Sequence, residues 1–221
     1  MTTPPIVADA GLGQTLVASF IQNGYSAFGL NRTVPQGAGS TMAVDLTAAG
    51  QTKAKLRNMI CTHGAPKLAV HNTAKLVIAP FADISTQDFE TTWRAMVLSA
   101  VKIAQVVLPA IAETGSGTFI VSGATASLRG RKNFSAFASA KAALRAMAQS
   151  LAREYGLRGI HVVHVILDGI VDTEVSWSLR NKGPSRMMKP EDISNTYLAL
   201  ANQPNSTWTH ELDLRSLGEA F

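Results

Sequence analysis

The sequence predicts a doubly wound α/β fold, a parallel sheet covered by helices on both faces in three layers. Three observations carry this. Short apolar runs alternate with longer stretches of helical periodicity from end to end. The run from Ile160 to Leu167 is apolar nearly throughout, as a strand buried on both faces should be. A glycine-containing turn, Gly11-Leu12-Gly13, joins the first apolar run to the first helical stretch. Strands alternating with helices require right-handed parallel crossovers, which put helices on both faces of one sheet.

The elements follow in order. Ile6-Val7-Ala8 reads as the first strand. A helix follows with Leu16, Val17, Phe20 and Ile21 on one face, closed by Gly24. Tyr25 to Leu30 reads as the second strand, Met42 to Val44 as the third, Gln51 to Thr62 as a helix and Leu68 to Val70 as the fourth strand. Ser85-Thr86-Gln87-Asp88 resembles a capping box opening a long helix that runs towards Pro109. Thr118 to Val121 is the fifth strand. Ser135 to Tyr155 is a strong helix closed by Gly156, and Ile160 to Leu167 the sixth strand. Pro190 opens a helix with Glu191 and Asp192 in its first turn, where carboxylates suit the helix dipole. Trp208 to Leu214 alternates as a last strand would.

Length and composition bound what the chain can be. A chain of 221 residues with 46% hydrophobic residues suits a single domain spanning 1–221. Basic residues exceed acidic ones by 20 − 15 = 5, spread along the chain. Such diffuse charge argues against nucleic acid as a partner. One cysteine, Cys61, rules out an internal disulfide and fits a reducing compartment. No signal peptide and no apolar run of membrane-spanning length is expected, so the expected location is cytoplasmic. His161 and His164 lie three apart on one strand and face opposite ways, so they are not a metal pair, and no metal is expected. There is no Gly-x-Ser-x-Gly elbow of the hydrolase type.

In folds of this class ligands bind beyond the carboxyl ends of the strands, and the first strand-to-helix turn receives a dinucleotide pyrophosphate. Gly11 and Gly13 suit that role. However, the usual earlier glycine would fall at Val7, inside the strand, and Asp9 puts a negative charge near phosphate. A turn that merely starts a helix is the alternative. The second strand ends in Leu30-Asn31-Arg32. A carboxylate there would suit the ribose of NAD, whereas Arg32 favours the extra phosphate of NADP, with NAD still possible. A solvated surface arginine is the other reading.

Beyond this point the motifs resemble, in order and over essentially the whole chain, those of the short-chain dehydrogenase/reductase family, whose fold is Rossmann-like. Val44-Asp45-Leu46-Thr47 resembles the stretch after strand three. His71-Asn72-Thr73-Ala74 resembles the family's Asn-Asn-Ala-Gly, and Phe137-Ala138-Ser139-Ala140-Lys141 its Tyr-x-Ala-Ser-Lys. Asp168-Gly169-Ile170-Val171-Asp172-Thr173 resembles Pro-Gly-x-x-x-Thr, with Asp168 in place of proline. Gly123 to Gly130 resembles a divergent branch reading Gly-Ala-Thr-Ala-Ser-Leu-Arg-Gly. Only twelve residues separate Arg32 from Asp45, which suggests that a helix is missing there. By resemblance the cofactor would contact Gly11, Leu12, Gly13, Arg32, Asp45, Leu46, Asn72, Thr73, Ala74, Lys141, Gly169 and Ile170.

The resemblance implies hydride transfer between nicotinamide and a small carbonyl or alcohol substrate, in a homodimer or homotetramer. A tyrosine exchanges the proton, a lysine four residues on tunes it, a serine polarises the substrate oxygen and an asparagine holds a relay water. Four-residue spacing puts tyrosine and lysine on one helix face. Here Lys141 is present, but Phe137 stands at the tyrosine, Ala124 at the serine and Met96 at the asparagine. Ser122 and Thr125, the hydroxyl-bearing neighbours of Ala124, are the candidates to stand in for the serine; Ser127 and Ser135 are further hydroxyls. Two readings remain: an NADP(H)-dependent oxidoreductase with an atypical active site, or a catalytically silent protein that keeps the fold as a dinucleotide-binding or structural module. A segment from Trp177 to Met188 would form the substrate lid.

Overall fold

The computed structural model describes residues 6–8, 12–32, 41–48, 50–173, 176 and 187–217. Among the described residues seven strands form one parallel sheet: β1 (Ile6–Ala8), β2 (Phe28–Asn31), β3 (Thr41–Ala43), β4 (Leu68–His71), β5 (Gly117–Ser122), β6 (Ile160–Asp168) and β7 (Glu211–Arg215). Their order is β3-β2-β1-β4-β5-β6-β7. The order reverses between β1 and β4, and the crevice beyond their carboxyl ends is where such sheets bind ligands.

Strand alternation distributes the core over two faces. Phe119 and Val121 face α2 (Gln51–His63), α4 (Ser99–Thr114) and α5 (Ser135–Tyr155), where Leu56, Ile103, Val107 and Leu144 are all at most 1% exposed. Ile120 faces α1 (Leu12–Gln22) and α6 (Pro190–Ala201), against Leu16, Phe20 and Tyr197. The doubly wound three-layer expectation therefore holds.

Several boundaries differ from expectation. β2 starts at Phe28, not Tyr25, and β7 starts at Glu211, leaving Trp208 outside the strand, stacked on His161 with ring centroids 5.0 Å apart. Ile21 is 45% exposed rather than on the buried face. Gly156 keeps right-handed helical geometry; Gly159 takes the left-handed turn, at φ 79°. A Cβ at Gly159 would lie 2.0 Å from the Gly115 carbonyl oxygen, so close approach as well as φ demands glycine.

The long helix also runs on. α3 (Thr86–Trp93) passes through one π turn, Arg94–Leu98, into α4, which continues beyond Pro109 to Thr114. Burial of Val107, Leu108 and Ile111 offsets the backbone bond that Pro109 cannot make. At its start the Ser85 hydroxyl accepts from Asp88 N–H, as expected, but the Asp88 carboxylate accepts from that hydroxyl rather than from Ser85 N–H. By length and composition alone Thr86–Thr114 could cross a membrane, but Lys102 and Gln105 interrupt its apolar run and over half of its most apolar stretch is buried within the fold.

Candidate functional site

The first strand-to-helix turn, the expected pyrophosphate site, is only partly described. Leu12 and Gly13 are buried at the start of α1, whereas Gly11 and Asp9 lie outside the described residues. Val7 pairs with Gly29 and Val70 inside the sheet, so the position of the family's earlier glycine is strand here. The segment between Arg32 and β3, where a helix was expected to be missing, and residues 177–186 of the expected lid also lie outside the described residues.

Beyond the carboxyl ends of β2 and β3 lies a cavity of about 490 Å³. It gathers Arg32, Asp45, Leu46, Thr73 and Ala74, five of the residues singled out in the sequence, which come from three separate loops. Asn31 ends β2 in its wall, 7% exposed, and its Oδ1 has no hydrogen-bond partner among the described residues. Lys75 and Arg94, not foreseen from the sequence, add cationic side chains. The Lys75 ammonium donates to the Thr91 hydroxyl. The loop carrying Asp45 is fixed in two ways. Asp45 Oδ1 accepts from the Thr47 hydroxyl at 2.6 Å and from Thr47 N–H at 2.8 Å, and these bonds hold its carboxyl below the usual range. The Lys102 ammonium donates to the carbonyls of Leu46, Thr47 and Ala48 at 2.9–3.0 Å. Burial pulls the Lys102 ammonium below its ordinary range.

The second cluster lies at the carboxyl ends of β4, β5 and β6. Lys141, on α5, is 3% exposed and donates to the Ser122 carbonyl at 2.8 Å, so it is not a solvated helix lysine. Its ammonium also lies 5.7 Å from the centroid of the Phe137 ring, on the shared helix face that the spacing requires. Met96 falls within the π turn and is fully buried. Ser122 does not stand in for the missing serine. It alternates with Val121 to the opposite face, is 1% exposed and pairs its hydroxyl with Tyr197 at 2.6 Å. The Ser127 hydroxyl accepts from Ala124 N–H at 3.1 Å, and Ser135 Oγ is buried with no hydrogen-bond partner among the described residues. Thr125 is the hydroxyl placed differently: half-buried, it donates to the Asp168 carboxylate, which also accepts from Arg215. Asp168 and Arg215 face each other across the β6–β7 register, a pairing invisible until the register is known. Next to them Gly169 packs on Met188, where an added Cβ would lie 3.2 Å from the sulfur, and Ile170 accepts from Met188 N–H.

Two histidines underlie this cluster. His71, fully buried at the end of β4, is 2.8 Å from the Ser99 hydroxyl through Nε2. Ser99 donates its single proton to the Ala95 carbonyl at 2.6 Å, so His71 Nε2–H is the donor and Nδ1 is a bare acceptor. Burial, and then the Lys141 ammonium, push the imidazole down to about 3. His164, on β6, donates from Nδ1 to Glu211 at 3.0 Å, and Glu211 is clamped by Arg145 Nε and Nη2 at 2.7 and 2.8 Å. That clamp is the chief reason the Glu211 carboxyl is held down to about 2. Another hollow, of about 430 Å³ and including Lys67, His161 and Trp208, opens at the amino-terminal edge of the sheet and holds none of the expected site residues.

The sequence and the fold have counterparts among known proteins. A family model described as enoyl-(acyl carrier protein) reductase matches residues 9–211. The 3-oxoacyl-[acyl-carrier-protein] reductase of Chlamydia trachomatis is 22% identical over 91% of this chain and 90% of its own length. A short-chain dehydrogenase from Rhodopseudomonas palustris superposes with a TM-score of 0.80 at 26% identity, covering 97% of this chain and 99% of that one. An alcohol dehydrogenase from the archaeon Thermococcus sibiricus, solved with 5-hydroxy-NADP, superposes with a TM-score of 0.87 at 19% identity, covering 100% and 99%.

Proposed function

The chain belongs to the short-chain dehydrogenase/reductase family of oxidoreductases, and from that premise we propose that it is NADP(H)-dependent and acts on a small carbonyl or alcohol through an atypical active site. The observation that carries this reading is the cavity beyond β2 and β3. Its orphaned acceptor, Asn31 Oδ1, suits a ribose hydroxyl, and Arg32 beside it suits a phosphate on that ribose. Asp45 and the backbone of Leu46, held by Thr47 and Lys102, would flank the adenine. Cofactors of the NADP class among the structural relatives support the same choice.

Once bound, the nicotinamide would supply the carbon that gives or takes hydride. The chain's residues would do the rest. Lys141, Asn72, Gly169 and Ile170 would position the nicotinamide half, and the Phe137 ring would close the site against water where the family has its proton donor. Assembly into a homodimer or homotetramer is part of the proposal by family analogy alone.

A thermal-shift titration with NADPH, NADP⁺, NADH and NAD⁺ tests it. A ligand that binds only the folded state adds RT ln(1 + [L]/Kd), about 2.7 kcal/mol at a hundredfold excess over Kd. A larger shift with NADPH than with NADH is the expected result. No shift with any of the four would favour the second reading, a catalytically silent protein that keeps the fold, which Phe137, Ala124 and Met96 support.

A further inference from the structure

We propose that the site takes its substrate as an alcohol, with Thr125 as the substrate-contacting hydroxyl and Asp168 and Arg215 as its positioning residues. The inference rests on the oxidoreductase reading above and deepens it.

Thr125 follows Ala124, where the serine is missing, and begins the turn at the carboxyl end of β5. It is half-buried and so remains within reach of a ligand. Asp168 ends β6, 6% exposed, at the position the family fills with a proline that has no acceptor side chain. One carboxylate oxygen accepts from Thr125 and the other from Arg215 Nη2.

Proton accounting then decides what Thr125 can recognise. A hydroxyl has one proton and two lone pairs, a carboxylate only accepts, and a guanidinium only donates. Arg215 on Oδ2 and the Thr125 proton on Oδ1 are mutually consistent, and together they commit that proton. What Thr125 presents to the site is lone pairs. A carbonyl substrate, itself only an acceptor, would meet a second acceptor there. An alcohol would donate its hydroxyl proton to Thr125 Oγ1. The family's serine role, donation to the substrate oxygen, is thereby inverted. The same trio also provides an exit for the proton. The substrate O–H breaks as a new Thr125 O–H forms, and the former Thr125 O–H breaks as Asp168 Oδ1–H forms. The substrate is left as an alkoxide and Asp168 as a neutral acid. In that second state Asp168 donates to Thr125, and Thr125 regains a proton to offer to the product oxygen.

The test is the affinity of a matched pair, 1-phenylethanol and acetophenone, measured by isothermal titration. The alcohol is titrated into the NADPH complex and the ketone into the NADP⁺ complex, so that neither reacts. The wild type should favour the alcohol by about tenfold, the scale of one well-formed hydrogen bond against a mismatched one. Asp168→Asn is the sharp variant. Arg215 requires an acceptor, so the asparagine oxygen turns to it and Nδ2 donates to Thr125. The Thr125 proton is then released towards the ligand, and the preference should shift to the ketone. Thr125→Ser should keep the alcohol preference and Thr125→Val should erase it. A trio that only staples β5 to β6 and β7 would lower the melting temperature in Asp168→Asn without inverting the preference, and that result would overturn the proposal. So would a wild type that prefers the ketone, or one that binds neither probe while cofactor stabilises it. Absence of any cofactor shift is instead the failure of the oxidoreductase reading. Should Asp168→Asn not fold, the Thr125→Ser and Thr125→Val pair still decides.

Discussion

The carboxyl ends of β2 and β3 and those of β5 and β6 are built to different degrees of agreement with one family pattern. At the first, Asp45, Leu46, Thr73 and Ala74 line one cavity with Arg32, and the loop that carries Asp45 is held by five side-chain bonds from Thr47 and Lys102. At the second, Lys141 is kept and locked, but three groups around it have lost their protons to exchange: Phe137, Ala124 and Met96. The difference shows which part of the pattern a binding role needs and which part turnover needs. Binding a dinucleotide requires shape and fixed donors. Moving a proton requires a group whose two protonation states are both accessible.

The largest way to break that comparison is to restore the missing acid. Phe137→Tyr places a phenol on the same helix face as the Lys141 ammonium. Carbonyl reduction should rise by about 10²–10⁴-fold, the usual contribution of a positioned general acid, followed as NADPH consumption at 340 nm. If the variant gains nothing while cofactor still raises its melting temperature, the substrate half is not arranged for hydride transfer.

The next effect separates packing from chemistry. Gly123 lies between the lost serine position and His164, and a Cβ there would sit 2.3 Å from His164 Nε2 and 2.9 Å from Ser127 Oγ. His164 cannot retreat, because Glu211 and Arg145 hold it. Gly123→Ala should cost about 1–3 kcal/mol, read by urea unfolding, from overpacking alone. An unchanged midpoint would mean that the loop over β5 yields, and that the second region is looser than the first.

How much of this was legible beforehand depends on the range of the interaction. The α5 limits, Ser135 and Tyr155, and the Ser85 hydroxyl over the start of α3 are local, and the sequence predicts them correctly. Ser122 was misjudged, although alternation along β5 with Phe119 and Val121 on the helix α4–α5 face already points it the other way. The sequence brings the long helix only as far as Pro109; that it continues to Thr114 depends on burial that local backbone rules do not contain. The Thr125–Asp168–Arg215 trio could not be read at all. It depends on the β6–β7 register and on a turn after β5, and neither leaves a spacing signature.

A smaller change sharpens the first region. Arg32→Ala removes a cation from the exposed rim of the cavity while leaving Asn31 and Asp45 in place. NADPH affinity should fall by about tenfold, the scale of a charge-assisted hydrogen bond in partial contact with solvent, and NADH affinity should hardly move. Equal losses for both cofactors, by titration of their fluorescence, would mean that Arg32 supports the pocket rather than reading a phosphate.

The smallest effect tests how far the two regions share one electrostatic core. His71 ends β4, next to the motif that closes the first cavity, yet its titration is depressed partly by Lys141 of the second. Its folded value, about 3, lies below the ordinary 6.5. Between those two values the unfolded chain binds a proton that the folded protein refuses. Stability is therefore intact above pH 6.5 and declines as the pH falls towards about 3, at no more than about 1.4 kcal/mol per pH unit for one group. His161 and His164 are depressed in the same direction, so the wild-type slope contains their shares too. Glu211 adds its loss only below its ordinary 4.5. Urea unfolding between pH 6.5 and 5 thus isolates the histidines. His71→Asn, which installs the family's residue, should flatten that slope by the His71 share while leaving stability at pH 8 within about 1 kcal/mol, since an amide can still donate to Ser99. If the slope is unchanged, His71 opens to solvent as readily as the unfolded chain does, and the Lys141 charge does not reach across to β4.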